Sequence, residues 1–434
     1  MMRSGWHFVL WSCVGVSTVG VANESEEPAT IETLVAELQS GQPARVLAAV
    51  ELLGKRGKAA ADAVPALTEL LQADSPAVRY AAVQSLGDIG TPTRATVEAL
   101  LEAFDDEGIG EDEIPVWVAA AATVGRLRPQ VLPQLMEMLQ GEQPIERRAA
   151  ATALHAFGEA AAPAVPLLVE RCRSPDPQRR YEALYAMLGI GPAAAPAVPQ
   201  LLDLLNSGDF HTQYWACRVL GEIGLPAAQP AVVPLMALVA KSAPSVRRNA
   251  AAALGKLGPG AGGASVEALI TALQDETYAV REAAAIAIGR LGPFACRAIP
   301  ALEAAIADPK FAARIEAAVA LCRTGGDSQK AVQVLIDEIQ HPTSAYAAAV
   351  AFDGLGEQAG GAVPRLRELL RSDSSETRWC AAIALGGIGP PARDALPELQ
   401  SLRNDGDADV RSASAAAIER ISADPPRGDS ANPR

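Results

Sequence analysis

Self-similarity at a short, nearly fixed period constrains this chain more than any other feature. The stretch Val64-Pro-Ala-Leu-Thr-Glu-Leu-Leu-Gln-Ala-Asp, closing on Leu-Gly-Asp-Ile-Gly90, returns from Val363 as Val-Pro-Arg-Leu-Arg-Glu-Leu-Leu-Arg-Ser-Asp, closing on Leu-Gly-Gly-Ile-Gly389. Equivalent units open at Ile31, Val64, Val97, Leu132, Val165, Val198, Val233, Val266, Ile299, Val332, Val363 and Leu396, 31 to 35 residues apart. A period in this range marks a repeat architecture, in which each unit buries its apolar face only against its neighbours. Composition agrees. Aromatics are 4% of 434 residues, too few large side chains for one wide core, whereas alanine and leucine suit thin layers of helices.

Each unit reads as two helices. In the first, Pro65, Pro133, Pro166, Pro199, Pro234, Pro300, Pro364 and Pro397 occupy one place. That place is just inside a helix start, where the missing N–H has no intrahelical partner anyway. Glu32, Glu98, Glu267 and Gln333 stand there in the other four units, and the glutamates would complement the helix dipole. Leu67, Leu70 and Leu71 give the i, i+3, i+4 stripe of a buried face. The second helix buries Val78, Ala81, Ala82, Leu86 and Ile89, and its Leu-Gly-x-Ile-Gly ending supplies a glycine where left-handed geometry is needed. With 36 glycines and 32 prolines, an aperiodic chain would read as disordered. Here both are periodic punctuation, so residues 31–421 are expected to form an all-α, right-handed solenoid (superhelix) of about twelve helix pairs.

The unit Val-Pro-x-Leu…Leu-Leu-x-x-Asp-x-x-x-x-Val-Arg-x-x-Ala-Ala-x-Ala-Leu-Gly-x-Ile-Gly resembles the short HEAT-like repeats named after the phycobilisome (bilin) lyases. The resemblance implies fold far more than function, because function sits on sites grafted onto a fold. No Thr-Pro-Leu-His of ankyrin repeats and no TPR signature occurs.

The N-terminus has the layout of a secretory signal. One arginine, Arg3, precedes the apolar run Phe8–Val21, and Gly20-Val21-Ala22 offers small residues for cleavage. Residues 1–22 are therefore expected to leave as a signal peptide, 23–30 to be a short linker and 422–434 a disordered tail. The mature chain would be periplasmic or extracellular. No other segment reads as membrane length, so no membrane insertion is expected after cleavage. Cys172, Cys217, Cys296, Cys322 and Cys380 form no CxxC pair, fit neither a disulfide framework nor a zinc site, and read as small core residues. The net charge of −14 argues against nucleic acid as a partner.

Two columns recur in the second helices. Arginines 79, 147, 180, 247, 281, 314, 378 and 411 fall at one place; such regularity suits a framework role, each bonding turn carbonyls or an inter-helix aspartate. The next position holds Tyr80, Val118, Arg148, Tyr181, Tyr214, Arg248, Glu282, Ile315, Tyr346, Trp379 and Ser412, taking four of the six tyrosines. It lies about 200° from buried Val78 and is expected to face away from the core, toward the concave side. Tyr185 and Arg218 sit one turn further on, and Trp215 is beside Tyr214. Tyr80, Arg148, Tyr181, Tyr185, Tyr214, Trp215, Arg218 and Arg248 are thus the candidate partner-binding residues, since aromatics and arginine make binding hot spots. The carboxylate-rich loop 105–113 fits no EF-hand spacing and reads as solvated.

Enzymatic signatures are missing. Related HEAT-like deoxyhypusine hydroxylases hold di-iron through His-Glu pairs, but His155, His211 and His341 are followed by Ala, Thr and Pro. No Gly-x-Ser-x-Gly, P-loop or dinucleotide fingerprint occurs. The expectation is an exported, non-catalytic scaffold without cofactor or metal, binding a protein or extended peptide in its concave groove. The alternative is a lyase- or chaperone-like component acting on a tetrapyrrole or other cofactor.

Overall fold

In the computed structural model, which describes residues 29–103, 106–110, 114–308 and 313–423, the helices follow one another in twelve pairs. The expected signal peptide, most of the linker and residues 424–434 of the tail lie outside the described residues. The pairs run α1 (Ile31–Leu38) and α2 (Pro43–Arg56), α3 (Val64–Glu69) and α4 (Pro76–Ile89), α5 (Arg94–Glu102) and α6 (Val116–Arg126), α7 (Arg128–Gln140) and α8 (Pro144–Phe157). They continue as α9 (Val165–Arg171) and α10 (Pro177–Ile190), α11 (Val198–Leu205) and α12 (Phe210–Ile223), α13 (Val232–Lys241) and α14 (Pro244–Leu257), α15 (Gly263–Ala272) and α16 (Tyr278–Leu291). The last are α17 (Ile299–Ala307) and α18 (Arg314–Arg323), α19 (Ser328–Ile339) and α20 (Ala345–Leu355), α21 (Val363–Leu369) and α22 (Ser375–Ile388), α23 (Leu396–Ser401) and α24 (Ala408–Ser422). No strand occurs among the described residues, only an antiparallel bridge between Ile109 and Pro115.

Proline sets where half of the first helices begin. Pro65, Pro166, Pro199, Pro300, Pro364 and Pro397 each take the second position of their helix. Where glutamate or glutamine replaces proline, α5, α15 and α19 start about a turn earlier, because every N–H can join the ladder. Glu98 and Glu267 therefore lie beyond the first turn, and of the three glutamates only Glu32 complements its dipole there. Pro133 is a further departure, lying inside α7. Arg128 stands where most units have their closing glycine, and α7 begins at it, straight after α6.

The closing glycines take two conformations. Gly90 is left-handed as expected, at φ 74° and ψ 16°. Gly57, at φ 55° and ψ −138°, occupies instead the mirror of the extended region, from which a short 3₁₀ turn leads to the next helix. The other glycine of the Leu-Gly-x-Ile-Gly motif has a packing role: a Cβ on Gly255 would lie 2.6 Å from the Ala287 Cα, and one on Gly189, at the variable place of its unit, 2.0 Å from the His155 carbonyl oxygen. Second helices of successive units consequently pack tightly on one another, while successive first helices touch far less. The second helices thus form the more closely packed layer, the one expected on the inner, concave side, and the first helices a looser one.

The core is a continuous ribbon of Leu, Val, Ile and Ala between the two helix layers, running from Leu34 to Ile421. Cys172, Cys217, Cys322 and Cys380 are free and buried in it, and burial pushes the Cys172 and Cys217 thiols up to about 12. Cys296 is exposed, contrary to the core reading. The expectation of no further stretch of membrane length also fails by length and composition: Glu146–Arg171, Pro177–Leu205 and Tyr278–Ala307 qualify. Each is a second helix joined through a 3₁₀ turn to the next first helix, with a positive-φ glycine at the joint.

Candidate binding surface

The arginine column is framework. Each guanidinium reaches back to the turn before its helix: Arg79 Nη1 donates to the Ala73 and Asp74 carbonyls at 2.8 and 3.1 Å, and Arg378 Nη1 to those of Ser372 and Asp373 at 2.8 and 3.1 Å. The rest of the fork grips a carboxylate of the following unit. Arg79 chelates Asp106, Arg247 chelates Asp275, and Arg378 chelates Asp405, all at 2.6–2.9 Å. Asp106 belongs to the acidic loop, so one of its carboxylates is already committed to holding two units together. Arg147 and Glu182 form a fully buried version at 3.0 Å.

The neighbouring column gathers into one cluster over α8, α10, α12 and α14. Trp215 is its hub, with ring centroids 5.0 Å from Tyr181, 5.2 Å from Tyr214 and 6.0 Å from Tyr185, all steeply inclined. Tyr181 and Tyr185 stack at 6.0 Å. The Arg218 guanidinium lies 4.7 Å above the Trp215 ring and 5.7 Å above Tyr214, both within cation–π reach. Arg148 and Arg248 stand exposed at either edge. None of these three arginines has a carboxylate partner among the described residues.

Two expectations need correction. The rings do not stand free: Tyr181, Tyr185, Tyr214 and Trp215 are half-buried, and Tyr214 and Trp215 pack against the core ribbon. Small alanines on neighbouring helices leave space that the large rings fill. Tyr80 does not join the cluster. Its ring lies beneath the loop of the next unit, where a Cβ on Gly110 would come within 2.3 Å of it, and Gln84 donates to its hydroxyl.

Sequence reasoning overlooked His155 as a member. Its ring stacks on Tyr185 at 4.5 Å and 10°, and Nδ1 donates to the Tyr185 carbonyl at 2.9 Å. The signal was present, since His155 lies seven residues after Arg148 and so on the same helix face. Burial, with Tyr181 adding to it and Arg218 opposing, pushes the Tyr185 phenol above its ordinary value.

Beside the cluster a cavity of about 560 Å³ opens between the starts of α10 and α12, lined by Pro177, Gln178, Tyr181, His211, Thr212 and Trp215. Asp209 closes its wall. The Thr212 hydroxyl, then Arg180 and the His211 N–H, hold its carboxyl below the usual range against the opposing effect of burial. Among the described residues no three His, Cys, Asp or Glu side chains converge as metal ligands do.

The HEAT repeats family matches the chain in seven overlapping spans, from residues 31–112 to 332–419. No curated protein matches it. Among solved structures, Kap121p bound to Pho4p is similar over 90% of this chain and 53% of that chain, with 13% identity and a TM-score of 0.54. The Kap95:Nup1 complex is similar over 90% and 66%, with 14% identity and a TM-score of 0.50. At these identities the likeness shows the fold alone, and this chain spans about half the length of Kap121p. Paired helices, periodic punctuation and the family match agree, and the chain belongs to the HEAT-repeat family.

Proposed function

We propose that this protein is an exported, non-catalytic scaffold that holds a partner protein, or an extended peptide segment of one, along the inner surface of its solenoid. The observation that carries the reading is the cluster around Trp215: four aromatic rings in mutual contact, edged by three arginines without carboxylate partners. Rigid aromatic faces lose little conformational entropy on binding, and a free guanidinium gains a charge-assisted bond only when a partner supplies the acceptor. The similar solved structures hold protein partners, Kap121p with Pho4p and Kap95 with Nup1, which supports a protein rather than a small molecule. Export rests on the signal-like residues 1–22, and the acidic net charge disfavours nucleic acid.

The aromatic-lined cavity supports a second reading, a component that carries a tetrapyrrole or another conjugated cofactor, in line with the bilin-lyase flavour of the repeat motif. Visible absorbance of the protein purified from its source separates the two. For the scaffold reading, the mature chain is immobilised and exposed to the envelope fraction of the source cells. An Arg148→Glu, Arg248→Glu double variant, changed only at exposed positions, should keep its melting temperature and lose the captured partner. Capture at the wild-type level would remove this surface as the binding site.

A further inference from the structure

The inner face does not end at Arg248. On the same register, α16 carries Tyr278, Glu282 and Ile286, α18 carries Ile315, Glu316 and Val319, α20 carries Tyr346 and Val350, and α22 carries Trp379 and Ile383. Tyr278, Ile286, Tyr346 and Val350 are 43, 39, 57 and 42% exposed, four of the nine large hydrophobic side chains exposed among the described residues. Tyr346 and Trp379 stack at 5.3 Å and 8°, from adjacent units. Solvated apolar side chains gathered on one stretch mark an interaction surface, whereas scattered ones do not.

The charges here are opposite to those at the Trp215 cluster. Burial, and beyond it the charge of Glu282, push the Glu316 carboxyl up against a backbone hydrogen bond, and burial, Glu282 and Glu316 push up the Tyr278 phenol. Neither glutamate has an ion-pair partner among the described residues. The inner face thus presents aromatics with arginines over α8 to α14, then aromatics and aliphatics with glutamates over α16 to α22. Like-signed ends would suit a uniformly charged partner. Opposite ends favour one whose charges are ordered.

We propose that the inner face holds one continuous, extended segment of its partner, with acidic side chains over Arg148, Arg218 and Arg248 and basic side chains over Glu282 and Glu316. Apolar anchors sit on the Trp215 cluster at one end and on the Tyr346–Trp379 stack at the other. This rests on the proposed function and adds the length and charge order of the partner. From α10 to α20 there are five helix steps of about 8–10 Å, and an extended chain at about 3.3 Å per residue covers them with roughly 12–15 residues. A helix would need about twice as many and would place its charges on a turning face.

The test is a selection of phage-displayed random peptides of about 15 residues on the immobilised mature chain. Enriched peptides should separate acids from bases along their length, with apolar residues in both halves. Synthetic copies should lose about tenfold in affinity on Glu282→Lys and again on Arg148→Glu with Arg248→Glu, while the melting temperature of each variant stays at the wild-type value. If Glu282→Lys unfolds the chain, Tyr346→Ala, at the most exposed ring of the second patch, reads the same end. Peptides without charge order, bound as well by both of these variants but lost on Trp215→Ala, would overturn the two-ended segment and leave the scaffold reading standing. Failure to enrich any peptide would overturn both.

Discussion

At the scale of single residues, what separates framework from surface is whether a charge already has its partner. Arg247 and Asp275 are only 13 and 12% exposed and share two short bonds. Arg247→Ala would strand the carboxylate and free a turn carbonyl, so it should cost about 2 kcal/mol of stability, read by denaturant melts, without changing partner capture. The same pairs predict an acid response. Arg79 holds the Asp106 carboxyl below the usual range, with burial opposing, and Arg378 does the same for Asp405. A depressed folded value means the stabilisation is complete above the unfolded value of about 3.9 and is lost as pH falls through the folded one. The melting temperature should therefore drop below about pH 4, and drop less in Asp106→Asn; an identical slope in both would show that the pair does not govern acid stability. The half-burial of the cluster changes the expectation for its rings. Tyr181→Ala with Tyr214→Ala removes aromatic contacts to Trp215 as well as surface, and should cost about 1–3 kcal/mol in a melt, rather than being silent as exposed sites would be.

At the scale of the helix, glycine and proline determine both boundaries and spacing. Gly189 faces the His155 carbonyl so closely that any Cβ must push α8 and α10 apart. Gly189→Ala should cost more than about 2 kcal/mol and loosen the His155–Tyr185 stack that depends on that spacing. Gly125, inside α6, is the control: it has a helical backbone and nothing within 4 Å of a Cβ. Gly125→Ala should stabilise by about 0.5–1 kcal/mol, and equal melting shifts of opposite expectation would discredit the packing argument. Proline spacing made the helix pairs readable in advance, yet Pro133 was misassigned to a helix start. Arg128, in the place of the missing glycine, cannot adopt a positive φ at low cost, so the chain enters α7 early and carries the proline inside.

At the scale of the whole molecule, a solenoid is as strong as its weakest junction. The third unit has Trp117 where eight of the twelve units have the ladder arginine, α6 and α8 touch far less than the neighbouring second helices do, and a surface pair, Arg94 with Glu137, spans the junction at 2.8 Å. Native-state hydrogen exchange should show α1 to α6 opening as a unit at lower free energy than α10 to α16. Uniform protection along the chain would contradict a weak seam.

The repeat period, the helix pairing and the column shared by Tyr181, Tyr214 and Trp379 follow from the sequence alone, because each unit meets only its neighbours and spacing along the chain translates directly into spacing in space. Even His155 was within reach of that logic. What the sequence could not supply was how far each ring stands from the core and which column members meet. Tyr80 and Tyr181 occupy equivalent places, yet one is roofed by Gly110 of an irregular loop and the other meets Trp215 across a tight helix pair. Those contacts depend on the distance between second helices and on a loop that breaks the repeat, and both are set by packing between units rather than by any residue's place within one.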